Sequence, residues 1–193
     1  MITMLLLWLQ TTGELTGTIR TGGPIRQEAI IELVALDASA APEPVADTVT
    51  IDQRDLSFLP RTITATIGTT MLFRNSDPIL HNVFSPAGPD GGFDLGTYPR
   101  PAARAHRFLE SGQWVVLCHV HPEMVAYIAI VESRWHTTAD RDGRFTMTGV
   151  PPGRYRLRAW FPRATPVVRE IEIAAGRTTE AHLELPSDRR RGP

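Results

Sequence analysis

Cys118-His119-Val120-His121-Pro122-Glu123-Met124 is the stretch around which the rest of the chain is organised. It places a thiol, imidazoles and a thioether within seven residues. The apolar run from Trp114 to Leu117 directly before it is typical of a β-strand, and Pro122 cannot continue such a strand. We therefore predict a short loop that leaves a sheet and holds these side chains close together.

A further candidate ligand lies upstream, at His81 in the segment from Asn75 to Val83. Two imidazole nitrogens, one thiolate and a weakly bound axial thioether form the ligand set of a blue-copper electron-transfer site. The candidate metal ligands are therefore His81, Cys118, His121 and Met124. A lone cysteine is by default a small buried apolar residue, but the loop spacing of His121 and Met124 favours the ligand interpretation.

The chain from about Thr48 to Val131 resembles a cupredoxin, and most of all the short plastocyanin-like domains whose last loop reads Cys-x-x-His-Pro-x-Met. The matching pieces are Phe58 to Ile63, Ile67 to Asn75, His81 to Phe84, Phe93 to Tyr98 and the Cys118 loop. The resemblance implies that His81, Cys118, His121 and Met124 bind one type 1 copper ion. It also implies that Asn82 joins the two ligand loops, the alternative being an ordinary turn residue.

The apolar residues near these ligands have two interpretations. They either keep water away from the metal or belong to the ordinary core, and they are Val83, Phe84, Phe93 and Pro122.

The two ends of the chain carry a second set of strand patterns. Gly13 to Arg20 and Glu28 to Leu36 read as strands around a Gly/Pro turn, and Asp142-Gly143 is a strong hairpin signal. With Val150 to Trp160, these pieces resemble the halves of a carboxypeptidase-regulatory-like β-sandwich. Strands are also predicted at Arg169 to Ile173 and Ala181 to Leu185.

The predicted fold class is all-β, a cupredoxin Greek-key sandwich inserted into a small discontinuous β-sandwich of immunoglobulin-like or transthyretin-like type. The predicted domains are residues 13–37 with 134–185 for the split sandwich and residues 45–133 for the cupredoxin. Asp37 to Pro44 reads as a linker, and residues 186–193 read as a basic tail. Insertion at an exposed turn is tolerated when the ends of the inserted domain lie close together.

Length, charge and cysteine content limit the classes of function. The chain has 193 residues and a formal net charge of −1, which is enough for two small domains and offers no basic stripe for nucleic acid. Its single cysteine excludes an intramolecular disulfide, a binuclear copper centre and a zinc cluster, each of which needs more thiolates.

The first residues bear on localisation. Met1 to Leu9 is apolar, too short to span a bilayer and about the size of a signal-peptide core, although no basic residue precedes it. We expect residues 1–12 to be a truncated signal or an N-terminal apolar segment, and the protein to be periplasmic or secreted. The alternative is a first strand that begins with leucines.

The predicted function is electron transfer by a mononuclear type 1 copper protein that is not an enzyme. One alternative is a copper storage or delivery protein or a non-catalytic binding module, and another is an enzyme with a second copper near His119. We expect a redox protein as partner and association with a membrane surface or the cell envelope. Arg154, Arg156 and Arg158 share one face of a strand, which is either a solvated face or a docking site for an acidic redox partner.

Overall fold

The computed structural model describes residues 11–25, 28–37, 47–162 and 164–186, which form sixteen β-strands. No α-helix occurs in these ranges, and a search of them for a helix able to cross a membrane finds none. The all-β prediction is therefore confirmed. The predicted N-terminal apolar segment, the linker and the basic tail fall almost entirely outside the described residues.

The chain divides into two compact units. The terminal unit contains the described residues up to 37, Trp135–Phe161 and the described residues from Thr165 onwards. The central unit contains residues 47–134 together with Pro162 and Ala164. The sequence placed these last two residues in the split sandwich, whereas in the structure the Gln113 side chain donates a 3.1 Å hydrogen bond to the Ala164 carbonyl.

Two sheets build the terminal unit, one with the strand order β13-β1-β16 and one with the order β12-β2-β14-β15. Its strands are β1 (Gly13–Arg20), β2 (Ile30–Ala35), β12 (His136–Thr138), β13 (Arg144–Val150), β14 (Gly153–Trp160), β15 (Val167–Ile173) and β16 (Thr178–Glu184). Strand β1 is antiparallel to β13 and parallel to β16, and β2 is antiparallel to β12 and β14. Each sheet therefore joins strands from the two ends of the chain. Alternate residues of both sheets are buried, among them Leu15, Phe145, Tyr155, Leu157 and Leu183.

The hairpin predicted at Asp142-Gly143 is wrong. Strands β12 and β13 flank this turn, but β12 pairs with β2 and β13 pairs with β1, so the turn connects two sheets. The Asp140 carboxylate accepts the N–H groups of Asp142 and Arg144, and the Ile19 N–H donates to the Gly143 carbonyl. The turn chemistry was correct, but long-range pairing, and not this turn, sets the partners of β12 and β13.

The arginines of β14 alternate with buried residues as predicted, since Tyr155 and Leu157 have no exposed surface. Two of the three predicted cations have acidic partners. Arg154 lies 3.1 Å from Glu170, and Arg158 lies 3.1 Å from the buried Glu32. Docking of an acidic partner on this row stays a prediction.

The central unit also has two sheets, with the strand orders β5-β11-β10-β7-β8 and β4-β3-β6-β9. Its strands are β3 (Thr48–Arg54), β4 (Ser57–Leu59), β5 (Thr62–Thr66), β6 (Thr70–Asn75), β7 (His81–Ser85), β8 (Phe93–Tyr98), β9 (Ala103–Arg107), β10 (Gly112–Leu117) and β11 (Val125–Val131). One hydrophobic core takes side chains from both sheets, including Ile51, Phe73, Val83, Val116 and Ile128.

Strand pairing brings the predicted ligand segments together. Leu117, the last residue of β10, lies opposite both Phe84 of β7 and Val125 of β11. The residues that follow Leu117 therefore pass the beginning of β7, which starts at His81. One end of the five-stranded sheet thus collects side chains that lie far apart in the sequence.

Candidate metal centre

The loop from Cys118 to Met124 connects two antiparallel neighbours, β10 and β11. It is closed by a hydrogen bond of 3.0 Å from the Met124 N–H to the His121 carbonyl. Pro122, in the middle of this turn, is exposed. The loop is therefore the short connection leaving a sheet that the sequence predicted.

His81, Cys118 and His121 converge at this loop. One ligand atom from each, the two ring nitrogens and the sulfur, lie within 4.8 Å of one another. The Nδ1 atoms of His81 and His121 are 3.1 Å apart, with the rings edge to face. His81 has no exposed surface and Cys118 is 3% exposed, whereas His121 is only partly buried.

Met124 lies at the end of the same loop. Its side chain is fully buried in the hydrophobic core that also contains Cys118. The hydrogen bond from its N–H to His121 fixes its backbone to a ligand residue. The assignment of its sulfur as an axial ligand stays a prediction.

Asp77 orients the His81 ring. Its carboxylate lies 2.8 Å from Nε2 of His81 and also accepts the N–H groups of Asp55 and Leu56. Burial raises the pKa of the Asp77 carboxyl, but the hydrogen bonds from His81, Leu56 and Asp55 outweigh burial and hold that pKa below its ordinary value. An ionised carboxylate only accepts hydrogen bonds, so the proton of His81 is assigned to Nε2. Its Nδ1 lone pair then faces the cluster.

Asn82 joins the two ligand segments, as its resemblance to the cupredoxin residue implies. Its N–H lies 3.4 Å from the Cys118 sulfur, and its side-chain oxygen accepts the His119 N–H at 3.3 Å. Its side-chain nitrogen donates to Asp94 at 2.8 Å. Hydrogen bonds from Gly96 and Asn82 hold the pKa of the Asp94 carboxyl below its ordinary value.

His119 lies outside this cluster. Its ring stacks on Phe84 at a centroid distance of 3.6 Å, and its side chain is 60% exposed. Its Nε2 lies 3.9 Å from the Asp94 carboxylate. Within the described residues, the His81, Cys118 and His121 group is the only metal-ligand cluster identified.

The apolar neighbours of the ligands divide into two groups. Val83 is fully buried in the core, and Phe93 packs against that core with its ring stacked on His106 at 4.1 Å. The Phe84 ring is stacked against His119, and Pro122 is exposed, so Pro122 does not belong to the core. Shielding of the metal by Pro122 stays a prediction.

Sequence reasoning missed Asp77. The sequence Asn75-Ser76-Asp77 is compatible with an Asx turn, and in the structure the Asp77 N–H donates to the side-chain oxygen of Asn75. An acid four residues before a candidate His ligand is a candidate partner for its second ring nitrogen. Asn75, which also donates to the carbonyls of Ile79 and Tyr98, fixes the segment that leads to His81.

The donor set fits a copper ion. Two imidazole nitrogens 3.1 Å apart can both lie at ~2.0 Å from one ion, a typical metal–imidazole distance. A buried free thiol beside them adds the soft ligand that selects copper when combined with imidazoles. The Asn82 N–H near the sulfur and the Asp77 carboxylate on His81 are the outer partners that orient such ligands.

Comparison with protein families finds one match, the carboxypeptidase regulatory-like domain, at residues 125–186. The predicted resemblance is therefore confirmed for this part of the chain. The match begins at Val125, earlier than the boundary of 134 that the sequence suggested. No curated protein matches the chain significantly.

Comparison with solved structures finds copper proteins over about half of the chain. Amicyanin from Paracoccus versutus is 22% identical over 51% of this chain and 97% of its own, with a TM-score of 0.41. An amicyanin variant in the Cu(I) form is 20% identical over 52% of this chain and 98% of its own, with a TM-score of 0.41. A Cu-containing nitrite reductase from Thermus scotoductus is 24% identical over 52% of this chain and 25% of its own, with a TM-score of 0.42.

Proposed function

We propose that the protein is a mononuclear type 1 copper protein that transfers electrons outside the cytoplasm. The observation that carries this proposal is the convergence of one thiol and two imidazole nitrogens within 4.8 Å in a largely buried site. This is the donor set of blue-copper electron-transfer centres. With one cysteine in the chain, the proposal implies one such copper per chain.

Each ligand residue has a distinct role in this proposal. His81 and His121 bind through Nδ1, Cys118 binds as the thiolate, and Met124 is the weak axial ligand. Copper held there supplies a one-electron redox couple whose potential depends on the axial ligand and on hydrogen bonding to the sulfur. The Asn82 N–H lies near the Cys118 sulfur and is placed to adjust the reduction potential through a hydrogen bond to it.

Rigid ligands favour electron transfer because little rearrangement then accompanies a change of oxidation state. Asp77 holds the His81 ring, and Asn82 connects the His81 strand to the Cys118 loop through backbone and side-chain contacts. These partners belong to the fold itself, so the site is organised before the metal binds.

Electrons enter and leave through His121. His81 has no exposed surface, whereas His121 is partly exposed and its chain neighbours Val120 and Pro122 are exposed. A redox protein partner docks against this face. The periplasmic or secreted location is supported by the apolar run Met1 to Leu9, and cell fractionation tests it.

The test is copper loading of the full chain. We expect one copper per chain, intense thiolate-to-copper charge-transfer absorption and reversible reduction at an electrode. Cys118→Ser should abolish the absorption, because the absorption arises from the thiolate bond, while Ser111→Ala, at a half-buried position outside the ligand cluster, serves as the control.

Two other results would replace electron transfer with another function. Tight binding of only one oxidation state, without reversible cycling, indicates copper storage or delivery. A second copper per chain that is lost in His119→Ala, together with a copper-dependent activity, indicates an enzyme.

A further inference from the structure

A second polar feature of the central unit lies where β3 and β6 end side by side. These strands are parallel neighbours, with Gln53 opposite Asn75. Both of these side chains are fully buried. Because side chains alternate along a strand, Arg54 and Arg74 point to the opposite face, and both are exposed. Ser76 continues the ladder, since its N–H donates to the Gln53 carbonyl at 2.9 Å.

A third arginine reaches the same place from a tight turn. The Ala102 N–H donates to the Pro99 carbonyl at 3.0 Å, which closes a turn with Arg100 inside it. The Asn75 N–H donates to the Ala102 carbonyl at 2.9 Å, so the turn is fastened to the end of β6. The three arginines are therefore presented by well-defined backbone.

These elements line an open cleft of about 500 Å³. Its lining residues are Arg54, Arg74, Asn75, Ser76, Arg100 and Pro101. The volume is within the range of roughly 300–1,000 Å³ that is common for small-molecule sites. No acidic residue lines the cleft.

The charges of the cleft are not balanced by the protein. Arg54 pairs with Asp52 at 2.8 Å. Arg74 and Arg100 have no acidic partner among the residues that the structure describes. The cleft thus presents two guanidinium groups without a counter-charge.

A buried hydroxyl is the second, independent observation. The Oγ atom of Ser76 is inaccessible to solvent and has no hydrogen-bond partner within the described part of the chain. Buried polar groups are nearly always hydrogen-bonded, so an unpaired one beside the cleft calls for an explanation such as an ion or an ordered water.

We propose that this cleft binds a small oxyanion of the phosphate class. Guanidinium groups bind tetrahedral oxyanions through paired N–H donors, and Arg74 and Arg100 supply two such groups in the lining of the cleft. The site is separate from the candidate copper ligands and does not depend on whether copper binds.

The experiment is titration of the full chain with inorganic phosphate at low ionic strength, followed by calorimetry and by amide chemical shifts of the cleft residues. Low ionic strength is needed because salt screens exposed charges. Binding by the unmodified chain, with shifts confined to the cleft, is the expected result. Absence of binding, or shifts spread over the surface, would overturn the proposal.

Matched variants identify the groups involved. Arg74→Gln and Arg100→Gln should each weaken phosphate binding by about tenfold, as expected for loss of one charge-assisted contact. Ser76→Ala should weaken it less than either arginine variant, because the Ser76 hydroxyl is closed to solvent. Arg61→Gln, an exposed arginine of the same unit that does not line the cleft, should leave binding unchanged.

Two outcomes count against the proposal. Equal losses in Arg61→Gln and Arg74→Gln would show non-specific attraction to positive charge. Tighter binding of a glutamate-rich peptide than of phosphate, with the same dependence on Arg74 and Arg100, would show that the cleft recognises an acidic protein segment instead.

Discussion

Replacing Asp77 tests whether the candidate site is organised by the fold before metal binds. The carboxylate accepts hydrogen bonds from the Asp55 N–H at 2.8 Å, from the Leu56 N–H at 3.1 Å and from His81 Nε2 at 2.8 Å. Asp55 and Leu56 have φ angles of 52° and 55°, which non-glycine residues rarely adopt. Asp77 therefore holds both a strained two-residue turn and a buried ligand.

The expected magnitudes follow from these contacts. Asp77→Ala removes all three bonds and leaves His81 Nε2 buried without an acceptor. At ~1 kcal/mol for each partly exposed backbone bond and ~2 kcal/mol for the buried histidine, the copper-free chain should lose ~4 kcal/mol of unfolding free energy. Asp77→Asn can keep the Asp55 bond through an oxygen at the Oδ1 position, but an N–H₂ group at the Oδ2 position cannot accept the Leu56 N–H, so it should lose ~1–2 kcal/mol.

Copper affinity should separate the two effects. In Asp77→Asn, the amide N–H₂ can donate to Nε2 of His81 and shift the ring proton to Nδ1, the atom that faces the cluster. Loss of such an outer partner typically lowers metal affinity by ~10–100-fold. The measurements are urea unfolding of the copper-free protein and competition for copper with a chelator. Asp142→Asn, an exposed acid paired with Arg144, is the control.

Unchanged copper affinity in Asp77→Asn would refute the assignment of the His81 proton to Nε2. If Asp77→Ala also unfolded like the unmodified chain, the hydrogen bonds of Asp77 would contribute nothing to the turn. The first result would remove the role of Asp77 in orienting His81, and the second would remove its role in holding the turn.

Three further predictions concern single side chains. Met124→Leu should keep the blue absorption and raise the reduction potential, whereas Met124→Gln should lower it, both measured by voltammetry. His119→Ala should leave copper content and electron exchange intact, because the exposed ring lies outside the ligand cluster. His106→Phe should stabilise the chain by ~1 kcal/mol in urea unfolding, because Nε2 of His106 is buried without a partner beside Phe93 and Phe108. Burial lowers the pKa of His106 below its ordinary value of 6.5, although Asp90 opposes this, so the unfolded chain takes up a proton first as the pH falls. Stability should then decline below about pH 6.5 in the unmodified chain and decline less in the variant.

Each of these has a contrary result. Identical potentials in both Met124 variants would remove this residue from the coordination shell. Loss of a second copper in His119→Ala would favour an enzyme. Parallel pH profiles for His106→Phe and the unmodified chain would assign the pH dependence to other groups.

The ligand cluster could be predicted because its chemistry is local in the sequence. Cys118, His121 and Met124 share one loop, and the strand before that loop reads clearly as apolar. His81 was a candidate only because it completes the ligand set, since no periodicity reveals that β7 lies beside β10. Once the two strands pair, the meeting of His81 with the loop follows from the register of Leu117 with Phe84.

Strand pairing itself was less predictable than strand position. The burial alternation of β14 and β16 was visible in the sequence, and so was the turn at Asp142-Gly143. That turn resembles a hairpin locally, but the long-range pairing of β13 with β1 is decided by which buried faces meet. Short-range turn chemistry carries no information about such distant partners.

The segment from Arg74 to Asp77 contributes residues to both proposed sites, the phosphate cleft and the copper site. Arg74 and Ser76 line the cleft, whereas the buried side chains of Asn75 and Asp77 form the hydrogen bonds that hold the approach to His81. The order of these four residues is visible in the sequence. Their roles depend on long-range neighbours that the sequence does not reveal, which are Arg100 in the cleft and the Asp55-Leu56 turn beside Asp77. Arg74→Gln should therefore weaken phosphate binding and leave copper affinity unchanged. Asp77→Asn should lower copper affinity and leave phosphate binding unchanged. The two changes lie three residues apart in the chain. If each variant lost both phosphate binding and copper affinity, the segment would respond to either change as one body.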